Sequence, residues 1–190
     1  APGGNSSSGW DNYTKPAGAL DIPETVVNNG VTYTITCLDN YVFYGCSDLT
    51  SVTIPEGVTT INGRAFWQCP ALQTVYFDAV NCTSMQTTYY SQTYSVFAEN
   101  AYGSASNVKS VVLGANVQRI PDYAFKNCVD LYPGLTIRNS VTEIGAHAFE
   151  DCSSMTNLAF QSNSNLATIG DYAFNGCSAL NKALNLPNSV

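Results

Sequence analysis

The sequence predicts a β-rich solenoid, a chain wound into stacked coils with a parallel sheet of about six to seven short strands along one side. Three features carry that reading. One apolar phrase returns along the chain, its strand-like part alternates with period two, and no single copy has enough apolar residues to bury its own edge. The phrase Val58, Ile61, Ala65, Phe66, Cys69, Leu72, Val75 and Phe77 returns as Val141, Ile144, Ala148, Phe149, Cys152, Met155, Leu158 and Phe160. It returns again over 117–137 and 166–186, and over 38–54 with Leu38 and Val42 substituted. The anchoring aromatic falls at Phe43, Phe66, Phe97, Phe125, Phe149 and Phe174, in steps of 23, 31, 28, 24 and 25 residues.

Residues 1–18 read as a flexible amino-terminal segment, because 3–9 are Gly, Asn and Ser with nothing to bury. The chain opens on Ala1, and a cleaved signal peptide or a cloning boundary would each account for that. Residues 19–37 read as a cap. Leu20 and Ile22 make an incomplete first rung, and Asn29-Gly30 between β-branched runs marks a type I′ hairpin. Residues 38–190 then hold six repeats. In each, a stretch such as Leu49, Val52 and Ile54 has the period of a short strand, and Pro55-Glu56-Gly57 turns the chain out of it. The segment from Ile61 to Cys69 spaces its apolar residues three to five apart, which predicts a short 3-10 or helical turn on the other side. At ~4.8 Å per rung, seven rungs make a sheet about 30 Å wide.

The third repeat is irregular. It carries an insertion at 78–96 containing Tyr89, Tyr90 and Tyr94, a second at 101–107 containing Tyr102, and Asn100 where the other repeats have Cys. Extra residues must loop out of the coil, so this repeat is expected to make the largest excursion from the scaffold. At the far end 184–190 stop where the next turn should begin, which reads as truncation within a longer array or a last strand shielded by a contact.

The composition excludes several functions. With 190 residues, 45% hydrophobic, the chain can build a core. A net charge of −7 leaves no cationic surface for nucleic acid or an anionic membrane, and no apolar run is long enough to span one. Five cysteines, Cys46, Cys69, Cys128, Cys152 and Cys177, each follow the anchoring Phe by three residues. They are expected to form a buried column of free thiols, which lacks a tetrahedral centre for zinc. Cys37 and Cys82 lie off that column and are expected to be exposed. The single histidine, His147, sits where other repeats have Arg64, Tyr123 and Tyr172, and reads as a solvent-facing turn residue. No nucleophile–base pairing, phosphate loop or metal spacing is present, so no catalytic residue, metal or cofactor is expected. Asp39, Asp48, Asp122, Asp130 and Asp171 fall near turn starts, where Asp bonds backbone amides.

The phrase I-P-x-x-V-x-x-I-x-x-x-A-F-x-x-C-x-x-L resembles the BspA-type leucine-rich repeats of bacterial surface proteins, found also in some mucosal parasites. The resemblance covers 19–190. It implies a leucine-rich-repeat solenoid in a secreted or cell-surface protein, used for adhesion to host matrix or microbial proteins. Read by register, the outward sheet positions are Thr53, Tyr76, Val112, Thr136, Ala159 and Asn185, a nearly uncharged face. With Tyr76 on that face, Tyr89, Tyr90, Tyr94 and Tyr102 in the insertions supply amphipathic contact area. The expected function is noncatalytic protein binding through the face and the tyrosine-rich insertion. A structural spacer and a glycan-binding accessory module are the alternatives.

Overall fold

The computed structural model describes residues 13–83, 85–89, 92–97, 105–181 and 185–190, with side chains at 86–89, 92 and 94 left aside. Among these residues fifteen strands follow one another: β1 (Gly18–Asp21), β2 (Thr25–Asn28), β3 (Val31–Thr34), β4 (Cys37–Leu38), β5 (Leu49–Ile54), β6 (Thr60–Ile61), β7 (Thr74–Phe77), β8 (Gln86–Tyr89), β9 (Gln92–Ser95), β10 (Ser110–Leu113), β11 (Arg119–Ile120), β12 (Gly134–Ile137), β13 (Glu143–Ile144), β14 (Asn157–Phe160) and β15 (Thr168–Ile169).

The long strands make the expected parallel sheet, in the order β1-β5-β7-β10 and then β12-β14. Their alternation works as the period-two pattern requires. In β7, β10 and β12 the second and fourth residues are buried and the third is exposed. The sheet is six strands wide among the described residues, and hydrogen bonding lapses between β10 and β12. Leu131 and Leu135 are separated by one residue more than Leu72 and Val75, and Pro133 in that stretch has no N–H to donate. Gly134 adopts φ 132°, and a Cβ there would fall 1.8 Å from the Asn157 carbonyl, so only glycine fits.

A second parallel ladder was not foreseen. Strands β4-β6 and β11-β13-β15, two residues each, run along another side of the coil. Ile61, Ile120, Ile144 and Ile169 therefore end a strand where the sequence spacing placed the start of a helical turn. The turn itself is built of hydrogen-bonded β-turns and is not helical. Cys46, Cys128, Cys152 and Cys177 donate their N–H to the Phe carbonyl three residues earlier. The residues two before and two after Phe66, Phe125, Phe149 and Phe174 are left-handed: Arg64 and Gln68, Tyr123 and Asn127, His147 and Asp151, Tyr172 and Gly176 have φ between 56° and 73°. A left-handed residue every fourth position stops a helix from propagating. Instead the backbone bonds to the next coil, as in Phe125 N to Ala148 O and Phe149 N to Ala173 O, both 2.8 Å.

The anchoring phenylalanines meet face to face inside this frame. Phe43, Phe66, Phe97, Phe125, Phe149 and Phe174 form one stack, with centroids 5.1, 5.2, 6.0, 5.5 and 5.5 Å apart and ring planes within 27° of parallel. Phe66, Phe125 and Phe149 are fully buried, and Phe174 is partly covered. The cysteine column runs beside the stack. Cys69, Cys152 and Cys177 donate their thiols to the Phe43, Phe125 and Phe149 carbonyls of the preceding coil, at 3.2, 3.3 and 3.1 Å. In the third repeat the place is taken by Ser106, buried and bonded to Cys128. Cys82 corrects an expectation: it is fully buried, in the position Val58 holds one coil earlier, so a short insertion hid its register. Cys37 is exposed as expected.

The amino-terminal hairpin is β2 against β3, closed by Asn29 and Gly30 with φ 50° and 76°, the signature of a type I′ turn. Chemical denaturation should show Phe125→Ala or Phe149→Ala destabilised by about 3–5 kcal/mol, because neighbouring coils hold the cavity open. A loss under ~1 kcal/mol would mean the site collapses and the stack is not rigid.

Candidate functional site

The outward row of the long sheet is aligned by strand register. Asp21 pairs with Thr53, Thr53 with Tyr76, and Tyr76 with Val112; across the break Thr136 pairs with Ala159. Tyr76 and Val112 are 42% and 40% exposed, so two large apolar side chains stand side by side in water. Thr136 is exposed, and Thr53 and Ala159 are half-buried. Thr53 donates its hydroxyl to Asp21 Oδ1 at 2.6 Å, which leaves its methyl group to the face. The adjacent row is small: Ala19, Ser51, Thr74 and Ser110 in register, then Gly134 with Asn157. Asn185 is exposed beyond the last assigned strand.

The tyrosine-bearing excursion is a hairpin, β8 against β9, pairing Thr87 with Tyr94 and Tyr89 with Gln92. Residues 78–83 and Met85 stay in the coil, with Ala79, Cys82 and Met85 buried. The side chains of Tyr89 and Tyr94 are not described, and Tyr90 and Tyr102 lie outside the described residues. The hairpin leaves after Met85 and rejoins at Ser95, whose hydroxyl bonds the Ala124 carbonyl at 2.8 Å. It therefore rises from the turn side of the coil, between the positions of Arg64 and Tyr123. The sheet row and the root of this hairpin stand on different sides of the coil.

On that turn side the structure assembles a feature that sequence reasoning missed. At five of the six anchoring phenylalanines the position two before is left-handed and carries a planar group, Tyr41, Arg64, Tyr123, His147 and Tyr172, whereas before Phe97 it is Ser95. The His147 ring lies between Tyr123 and Tyr172, at 4.6 and 5.2 Å and within 13° of parallel to both. The Arg64 guanidinium lies 4.4 Å from the Trp67 ring centroid and 5.6 Å from that of Tyr41, while Tyr44 packs against Tyr41 and Trp67. His147 is thus a half-buried member of a stack, not a free turn residue. The signal was present, since each of these positions holds a planar side chain.

Glu150 ties the row to the next column. It accepts from Lys126 Nζ at 2.5 Å and lies 2.7 Å from His147 Nδ1, and Asn175 Nδ2 donates to its other oxygen at 3.3 Å. Burial alone would raise the Glu150 carboxyl, but these bonds and the Lys126 charge together hold it below the ordinary carboxylate value. Among the cysteines, burial pushes Cys128 up to about 12 against a smaller opposing bond from Ser106. Cys69 and Cys152 are also raised, first by the neighbouring thiol of the column and then by burial. Exposed Cys37 is raised by partial burial and by Asp39. Among the described residues no three His, Cys, Asp or Glu side chains are placed to hold a metal ion, and no helix is long and apolar enough to cross a membrane.

Stacked coils with two parallel ladders, one phenylalanine and one small buried group per turn, define a leucine-rich-repeat solenoid. The chain belongs to the family of the BspA type leucine rich repeat region, which matches in six copies over 25–132 and 95–190. No curated protein matches the chain. Among solved structures, a leucine-rich repeat protein from Eubacterium ventriosum is 24% identical with a TM-score of 0.54, covering 86% of this chain and 39% of that one. A leucine rich cell surface protein from Faecalibacterium prausnitzii is 20% identical with a TM-score of 0.43, covering 87% and 46%. A T. pallidum leucine rich repeat protein is 18% identical with a TM-score of 0.44, covering 90% and 78%. The chain spans less than half the length of the first two, and these likenesses concern the fold. It is a repeat module of the BspA type.

Two measurements check this geometry. Native thiol labelling should modify Cys37 alone, faster as pH rises toward 9, with the other six reacting only in denaturant; a second fast thiol would contradict the burial of those six. Because the folded Glu150 carboxyl is depressed, its stabilisation is present above the ordinary value near ~4.3 and is lost as pH falls through the folded one. Glu150→Gln should therefore lower the denaturation midpoint at pH 7, with the difference from the parent vanishing by about pH 2. A pH-independent difference would assign the effect to packing.

Proposed function

We propose that the chain is a noncatalytic adhesion module of an exported bacterial surface protein, and that it holds host matrix or microbial proteins. The observation that carries this reading is the sheet row, nearly uncharged beyond Asp21, in which exposed Tyr76 and Val112 stand in register with Thr53, and Thr136 with Ala159. Unpaired apolar side chains aligned on a rigid sheet lose little entropy when covered, and tyrosine contributes heavily to protein interfaces. Tyr89, Tyr90, Tyr94 and Tyr102 of the two insertions are proposed as a second contact. The width of six strands suits a partner laid across the strands, the arrangement repeat proteins use for extended surfaces.

The test is capture by the immobilised chain from a defined panel of purified matrix glycoproteins, mucins and microbial cell-wall fractions. Tyr76→Glu combined with Val112→Glu should weaken capture by about tenfold or more with Tm unchanged, since both side chains are exposed. Replacing Tyr89, Tyr90 and Tyr94 together by Ser should weaken it further without unfolding. No capture from any fraction would favour a structural spacer, and capture of neutral glycans alone would favour an accessory glycan-binding module. Unchanged capture by the Tyr76 and Val112 variant would remove the face from the site.

A further inference from the structure

We infer that Asn29 in the amino-terminal hairpin is a site of covalent modification, where the Asn29–Gly30 peptide rearranges through a cyclic imide to aspartate and isoaspartate with loss of ammonia. The inference is independent of what the chain binds.

The sequence holds three Asn-Gly pairs, at 29–30, 62–63 and 175–176. A glycine after asparagine leaves the following amide nitrogen open to reaction, because no Cβ shields it. The structure separates the three pairs by what holds the asparagine amide. Asn62 donates its Nδ2 to Asp39 Oδ1 at 3.1 Å and to Cys37 Sγ at 3.5 Å, and its backbone N–H bonds the Leu38 carbonyl of the preceding coil at 2.8 Å. Asn175 donates its Nδ2 to Glu150 Oε1 at 3.3 Å, and its carbonyl accepts from Asp151 N at 2.7 Å. The Asp151 carboxylate also stands against Gly176, where its charge opposes loss of a proton from that amide. Each of these two side chains must give up a bond to a carboxylate before it can turn toward the nitrogen.

Asn29 has none of these restraints. It is exposed, and its side chain has no hydrogen-bond partner among the described residues. Gly30 faces open space where a Cβ would stand. The turn is carried by a ribbon of two strands, β2 and β3, whose eight residues are all exposed, Val27 and Tyr33 at 69% and 51% among them. A two-stranded ribbon with no covered face opens at low cost, which lets Asn29 leave its φ of 50° and bring Cγ to the Gly30 nitrogen.

The chemistry needs only water. The Gly30 nitrogen bonds to Asn29 Cγ, and the Nδ2 group leaves as ammonia with the proton that the Gly30 amide gives up. Water then adds to one of the two imide carbonyls. Opening at Cγ leaves aspartate, and opening at the former main-chain carbonyl leaves isoaspartate, whose chain runs through the side-chain carbons. Either product carries a new negative charge. Isoaspartate also lengthens the two-residue loop by one backbone carbon, so the pairing of Asn28 with Val31 is lost.

The test is incubation of the native 190-residue chain in mildly alkaline buffer at physiological temperature, followed by peptide mass mapping. An isoaspartate-specific carboxyl methyltransferase with a radioactive methyl donor counts the isoaspartyl product separately. Asn29 should convert faster than Asn62 and Asn175 by about tenfold or more, the cost of releasing a bond to a carboxylate. In urea the three rates should converge. Asp39→Ala removes an exposed acceptor and should raise the Asn62 rate toward that of Asn29. Amide exchange in the aged chain should quicken over 25–34 and stay slow in the coils. Equal rates at the three sites of the native chain, an Asn29 that converts only in urea, or an Asn62 rate untouched by Asp39→Ala would each overturn the inference.

Discussion

The continuity of the molecule rests on the phenylalanine stack more than on its sheets. Both ladders lapse at the third repeat. The long sheet stops between β10 and β12, and the short ladder is assigned only as β4-β6 and β11-β13-β15. The ring stack crosses that region unbroken, although its widest step, 6.0 Å between Phe97 and Phe125, falls there. Phe77 reinforces the crossing by meeting Phe125 edge-on at 6.1 Å and 84°. Stacked and edge-on rings each satisfy the quadrupole, so the junction keeps aromatic cohesion where backbone hydrogen bonding thins. The buried polar side chains among the described residues, Ser95 and Ser106, sit in this same repeat and both reach toward the next coil. A serine hydroxyl that bonds across the junction replaces contacts that regular coils make with backbone, and neither serine is left unsatisfied.

The turn side shows why the coil closes without a helix. Placing Tyr123, His147 and Tyr172 at φ near +57° costs each residue about 1–2 kcal/mol against right-handed backbone. The reversal turns the backbone amides from their own segment toward the next coil, as in His147 N to Asp171 O at 2.9 Å. It also swings the side chain outward, where its neighbours in successive coils can stack on it. The strain is thus repaid by ordered bonding between coils, and a planar side chain is the type that gains most from the position.

Much of this was legible in the chain. The six phenylalanines, the strand alternation and the Asn29-Gly30 hairpin follow from spacing and turn chemistry, because interior positions repeat whenever coils share one core. Cys82 was not legible, since one extra residue after Phe77 moved it out of apparent register while leaving it in the place of Val58. The short strands were missed because two residues carry no period of their own, and Ile61 served equally well as the start of a turn. The side from which the tyrosine hairpin rises was also hidden: the sequence shows how much chain is inserted, whereas the root is fixed by Met85 and Ser95 packing into neighbouring coils.

In a solenoid the inward positions are committed to stacking, so differences between such proteins must be written in the outward rows. Here those rows have two chemistries. The long sheet offers hydroxyls, a methyl and the Tyr76–Val112 pair, a surface that favours contact by area alone. The turn side offers rings and carboxylates, which favour contact by orientation and charge. The two are separated by the body of the coil, so a partner large enough to cover one need not touch the other. Lys126 and Arg119 are both taken up by carboxylates of the next coil, at 2.5 and 2.7 Å. A rigid scaffold of this kind presents independent faces, each with the physics of its own row.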